Sequence, residues 1–214
     1  MTDNPLLRED TGLPQNAPAF DKVEEDHFMP AIETAIEAAR ENIQAIKNNP
    51  DAPDFENTIV ALETASETLG TASSVFYNLL SVKSSDTMHE LAEKIGPVTS
   101  RFSSDVILDE DLFKRVKAVH DKKDSLGLSA EQEMLLDETY KGFVRGGALL
   151  DEDGKTRLRA LNERLTVLGP NFNNNVRKDT EAYELVIENE DDLAGLPETI
   201  KTGAKEEAED RGYD

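Results

Sequence analysis

His89-Glu90-Leu91-Ala92-Glu93 is the stretch whose residue types and spacing come nearest to metal chemistry. The zinc pattern H-E-x-x-H sets two imidazoles one helical turn apart, with the glutamate as general base. Here Glu93 stands where the second histidine belongs. A histidine and a carboxylate at i and i+4 bind a metal weakly at best, and a catalytic zinc needs three protein ligands and a water. The segment reads as a solvated helix face. His120, in VHDKKD, reads as a C-terminal residue interacting with its helix dipole, and His27 as a helix-entry residue. Asp151-Glu152-Asp153-Gly154 is a turn like the start of a calcium loop, but it fails the pattern. Thr156 and Asn162 occupy the positions that require glycine and a bidentate glutamate. Asn173-Asn174-Asn175 could form a polar recognition edge but reads rather as a helix surface or a helix end. There is no Walker A loop, no G-x-G-x-x-G and no G-x-S-x-G, and nothing singles out a Ser-His-Asp triad. No residue is therefore assigned a catalytic, cofactor-binding or metal-binding role.

Composition bounds the partners. Of 214 residues, 45 are acidic and 23 basic, a formal charge of −22. A protein that binds phosphate backbones needs a positive footprint, so nucleic acid is not an expected partner. The same charge argues against an anionic membrane surface. With no cysteine there are no disulfides and no thiolate zinc site. The N-terminus lacks a basic segment followed by an apolar one, and no run approaches the ~20 apolar residues of a membrane span. A cytoplasmic location is expected, or a periplasmic one if a signal peptide has been removed.

The elements that must position any chemistry are helices. Pro5, Pro14 and Pro18 make residues 1–26 an extended arm, anchored by Leu6, Leu7 and Phe20. Phe28, Ile32, Ile36, Ala39, Ile43 and Ile46 form an amphipathic stripe that stops near Asn48-Asn49-Pro50. From Asp54, a helix N-cap, to Val82 a second stripe runs through Phe55, Ile59, Leu62, Leu69, Ala72, Phe76, Leu79 and Leu80. It predicts one helix of roughly 40 Å, antiparallel to the first and the organising element of the chain. Ser84-Ser85-Asp86 ends it, and Thr87 with Glu90 reads as a capping box for a helix through Met88, Leu91, Ile95, Val98, Phe102 and Val106, kinked or broken at Gly96-Pro97. Asp109 caps a helix with Leu112, Phe113, Val116 and Val119. Ser129 and Gln132 cap another, with Met134, Leu135, Tyr140, Phe143 and Val144, which ends at Gly146-Gly147. The most regular stripe follows: Leu158, Leu161, Leu165, Leu168 and Phe172, running on past Gly169-Pro170 to Val176. Tyr183–Ile187 is the one strand-like piece, and a weakly apolar helix starts at Pro197. The prediction is an all-α fold, antiparallel helical hairpins or a bundle of about seven helices, with one short extended segment near 183–188.

The order of motifs adds a family. NPLL at 4–7, PAFDKVEEDHFMPAIETAI at 18–36 and PDFENTIVALE at 53–63 are followed by SSDVILDEDLFKRVKAV at 103–119, KGFVRGGALL at 141–150 and NEDDLAGLPE at 189–198. Together they resemble the N-terminal region of the thimet-oligopeptidase-type zinc metallopeptidases, closest to the peptidyl-dipeptidase (dipeptidyl carboxypeptidase) branch. The resemblance implies a nearly all-helical, two-lobed enzyme whose channel admits short peptides. It implies a zinc motif far downstream, in a C-terminal catalytic lobe that this chain does not contain. Residues 27–214 would then be a helical channel wall preceded by the arm 1–26, and Gly212-Tyr213-Asp214 would be a cut within a longer chain. Zinc is expected in the intact enzyme and not in this region, which should be inactive alone. The expected partners are short peptide substrates and the catalytic lobe. The alternative is an acidic helical interaction scaffold without chemistry.

Overall fold

Among the described residues every regular element is helical. The structure is a computed structural model that describes residues 4–8, 10–83 and 85–213. Its helices are α1 (Phe28–Asn48), α2 (Ala61–Thr64), α3 (Glu67–Val82), α4 (Asp86–Ile107), α5 (Glu110–His120), α6 (Ala130–Arg145), α7 (Glu152–Ala182) and α8 (Glu198–Asp210). The residues group into two units, Met1–Pro170 and Asn171–Asp214.

In the first unit the helices pair as antiparallel hairpins. Phe28, at the start of α1, meets Phe76 of α3 edge-on at 5.1 Å, while Asn42 near its end donates to the Ala65 carbonyl at 3.0 Å. Helix α4 starts beside α1, through Ser85 Oγ donating to Glu25 at 2.7 Å, and still runs alongside it where Arg40 meets Asp105 at 3.0 Å. In the α5–α6 hairpin Phe113 stacks on Phe143, His120 on Tyr140, and Lys123 pairs with Asp137. Helix α7 lies antiparallel on α4, with Glu163 against Arg101 and Asn162 against Ser104.

Two cores result. One gathers Leu6, Phe28, Ile32, Ile36, Leu69, Val75, Phe76, Met88, Ile95 and Phe102. The other gathers Ile43, Ile46, Phe55, Ile59, Leu112, Val116, Leu136 and Phe143. Helix α1 feeds both. Its six predicted stripe residues are all buried, and it is the element the unit is built around.

The expected single helix over 54–82 is divided. Asp54 is the N-cap, accepting from the Asn57 N–H at 2.7 Å. A wide π-helical turn (Phe55–Val60) then leads into α2, and the chain breaks at Ala65-Ser66 before α3. The physical reason is that the two halves serve different cores. Phe55, Ile59 and Ala65 face the second, and Leu69, Ala72, Val75 and Phe76 the first. A straight helix would carry its stripe past one of them.

Other expectations also shift. Helix α4 runs unbroken through Pro97, and Thr99 Oγ1 donates to the Ile95 and Gly96 carbonyls beside it. Its cap is Ser85, accepting from Met88 N–H at 3.1 Å, because the helix already includes Thr87, so the Thr87–Glu90 capping box does not form. Ser84 lies outside the described residues. The 151–154 turn is the first turn of α7, where Asp151 Oδ1 accepts from Gly154 N–H at 2.8 Å. Helix α7 continues through Gly169-Pro170. Met134 is 61% exposed, and the buried apolar residue of that helix turn is Leu136. The arm is a string of 3-10 turns held by buried Leu6 and Ala19, while Phe20 points to solvent.

Asp109 caps α5, and Ser129 with Gln132 forms the capping box of α6. Helix α6 ends with Gly147 at φ +101°, and Ala148 N–H reaches back to the Phe143 carbonyl at 3.0 Å. A Cβ at Gly147 would also press on Leu158 and Leu108, so that corner needs glycine twice over.

In the second unit, residues 183–189 leave the helix and join no β-ladder among the described residues. Glu184 is held by Arg211 Nη1 at 2.8 Å and Tyr213 Oη at 2.6 Å. Its carboxyl is pulled below the usual range by the Tyr213 hydrogen bond first and Arg211 second. None of the described residues from 171 onward is buried.

Candidate functional site

His89, Glu90 and Glu93 lie on the exposed face of α4. Among the described residues no three His, Asp or Glu side chains are grouped closely enough to hold a metal ion. One imidazole and two solvated carboxylates do not fit a zinc centre, so no step is derived through zinc from this chain. The other two histidines have structural partners. His27 Nδ1 accepts from Glu24 N–H at 3.0 Å, which makes it the helix-entry residue its position suggests. His120 ends α5 as expected, and its ring stacks on Tyr140 at 3.9 Å and 13° with Nε2 3.5 Å from Asp137. Asp137 also accepts from Lys123 at 3.0 Å, and that hydrogen bond draws its carboxyl below the usual range. The arrangement orients an imidazole against a carboxylate but sets no nucleophile beside it, and its geometry locks the α5–α6 hairpin.

Two charged constellations escaped sequence reading. Lys155 is buried, with Nζ 2.7 Å from Glu110 and 3.2 Å from Glu152. The hydrogen bond to Glu110 raises the ammonium and lowers the carboxyl, and it joins the first turn of α7 to the first turn of α5. Both carboxylates stay solvated at the rim while the lysine stem fills the gap, as long basic side chains do. Arg115 reaches from α5 to the 49–57 connection, donating to the Asn49 carbonyl at 3.0 Å and Asn57 Oδ1 at 3.2 Å. Its buried Nε has no partner among the described residues. Neither residue belongs to an apolar period, so neither had a signal in the sequence.

A concavity of about 650 Å³ opens where α2 breaks from α3 and is lined by Pro18, Glu63, Thr64, Ser66, Glu67 and Gly70 among others. A second, of about 440 Å³, lies between α1 and α4 beside Arg40 and Arg101. Charged and hydroxyl side chains line the first, and charged and apolar ones the second. Asn173–Asn175 sit on α7, where Asn174 accepts from Arg177 at 3.0 Å. Among the described residues no helix is long and apolar enough to cross a membrane.

No protein-family model matches the chain. Individual proteins do. It is 36% identical over 214 residues to dipeptidyl carboxypeptidase of Salmonella typhimurium, a match covering 100% of this chain and 31% of that protein. It is 35% identical over 213 residues to the Escherichia coli dipeptidyl carboxypeptidase, again over 31% of its length. Oligopeptidase A of Haemophilus influenzae is 31% identical over 209 residues, covering 98% of this chain and 30% of that protein. The chain therefore spans under a third of the length of these relatives. Collinear similarity along the whole chain to both kinds of peptidase, on an all-helical fold, shows that it belongs to the thimet-oligopeptidase family that they represent.

Proposed function

We propose that this chain is the N-terminal helical region of a peptidyl-dipeptidase or oligopeptidase, forming one wall of the channel that admits short peptides. The supporting observation is the 36% identity over the entire chain to a protein more than three times as long. In this reading the catalytic lobe, and the zinc that serves it, belong to the remainder of the polypeptide, which works in the cytoplasm on short peptides. The chain's own residues supply shape. Its capped hairpins hold a rigid wall, and no nucleophile, base or metal ligand is assigned to them.

The test is a graft. This chain replaces the matched region of the Salmonella typhimurium dipeptidyl carboxypeptidase, and release of dipeptides from a short peptide is followed chromatographically. Zinc-dependent hydrolysis by the graft, with none by the 214-residue chain alone, is expected. Hydrolysis by the isolated chain that a chelator abolishes would overturn the assignment.

A further inference from the structure

Helix α7 packs the wrong way round for an isolated protein. Toward α4 and α5 it turns Lys155, Leu158, Arg159, Asn162 and Thr166, all buried or half-buried and mostly polar. Leu161, Leu165 and Leu168 of its regular stripe point away. Leu161 is 49% exposed, Leu165 63% and Leu168 47%. Single exposed leucines are ordinary, but three at i, i+4 and i+7 make a continuous apolar ridge of the kind that seats in a partner groove.

The ridge also differs in charge from the chain that carries it. Between Thr156 and Pro170 there are three arginines and one glutamate, in a protein of net charge −22. At 100° per residue, Arg157 and Arg164 fall within roughly 60° of the leucine line, so they run along one side of it. A fitting surface is apolar at its centre and acidic at its rim. Two copies meeting α7 to α7 would bring these arginines against each other, which disfavours a symmetric dimer. The match covers only 31% of the Salmonella typhimurium relative, so most of such a polypeptide lies outside the described structure.

We infer that the Leu161–Leu165–Leu168 ridge is the docking face for the remaining part of the longer polypeptide, which covers it with an apolar, acid-rimmed surface. The inference rests on the reading of the chain as one region of a larger peptidase. It adds where the two parts meet.

Because the chain has no cysteine, Leu168→Cys supplies a reporter unique within it, and any cysteines of the relative are replaced in the graft and in the remainder. Its thiol is labelled with a maleimide in the isolated chain, in the graft described above, and in a mixture of the chain with the separately produced remainder of the relative. Labelling should be fast in the isolated, monomeric chain and slowed at least about tenfold in the graft or the mixture, as burial requires. A thiol equally open in all three overturns the inference. So does a thiol already protected in the isolated chain together with dimeric sedimentation, which would make a second copy the occupant. Hydrolysis is read separately. An active graft with an open thiol sinks the docking face and leaves the peptidase reading intact, and a protected thiol without hydrolysis does the reverse.

Discussion

Helices α1 and α7 carry equally clear apolar stripes and have opposite fates. In α1, Phe28, Ile32, Ile36, Ala39, Ile43 and Ile46 are all buried, shared between two cores. In α7 only Lys155 is buried, Leu158 is half-buried, and Leu161, Leu165 and Leu168 face water. Periodicity shows that a helix has an apolar face. It does not show that the partner for that face lies within the same stretch of chain.

The sharpest way to break this contrast is to truncate matched residues in the two helices. Ile32 has no exposed surface, so Ile32→Ala removes methylenes and leaves a cavity in the first core. A loss of about 3–4 kcal/mol is expected in urea unfolding. Leu165→Ala in the isolated chain should stay within about 0.5 kcal/mol of the parent, as surface changes do. A large loss at Leu165 would mean that α7 already buries its stripe in solution, and the contrast would fail.

The ion pairs divide the regions in a second way. Glu110, paired with Lys155, and Asp137, paired with Lys123, both have carboxyls held below their usual range by hydrogen bonds from those lysines. A carboxyl lowered by folding adds stability that is full above its unfolded pKa and is lost as pH falls through the folded one. The melting temperature of the first unit should therefore fall on acidification below the ordinary carboxylate range. Glu110→Gln combined with Asp137→Asn should lower the neutral-pH melting temperature and flatten that acid limb. An unchanged limb would show that these solvated pairs contribute nothing measurable.

What could be read from the sequence followed the same division. Helix caps at Asp54, Asp109 and Ser129, the glycine corner at 146–147 and the α1 stripe are local features, fixed by a few neighbouring residues. The break in 54–82 had one local trace. No large apolar residue stands between Leu62 and Leu69, where the stripe crosses from one core to the other. The Lys155 and Arg115 networks link residues far apart in sequence, and no spacing rule reports them. For function, the residues alone indicated only what was missing, since His89-Glu90-Leu91-Ala92-Glu93 breaks the zinc pattern at Glu93. The assignment came from similarity along the whole chain.

Capping tests the contrast between local signal and packing at smaller scale. Asp109 accepts from Leu112 N–H at 2.9 Å and also pairs with Lys47, so Asp109→Ala should cost about 1–2 kcal/mol.

The start of α4 offers the finest distinction. The capping-box pattern points to Thr87, and the structure caps the helix two residues earlier, at Ser85. Ser85 Oγ accepts from Met88 N–H at 3.1 Å and donates to Glu25 at 2.7 Å, tying the cap to the residues that lead into α1. Ser85→Ala should therefore cost about 1 kcal/mol, and Thr87→Ala, already inside the helix, only a few tenths. Glu25→Gln keeps an acceptor for Ser85, whereas Glu25→Ala removes it, so the Ala variant should be the less stable of the pair. If Thr87→Ala proved the costlier change at the cap, the helix would begin two residues later. The contact between the starts of α1 and α4 would then have to come from apolar packing around Met88 alone.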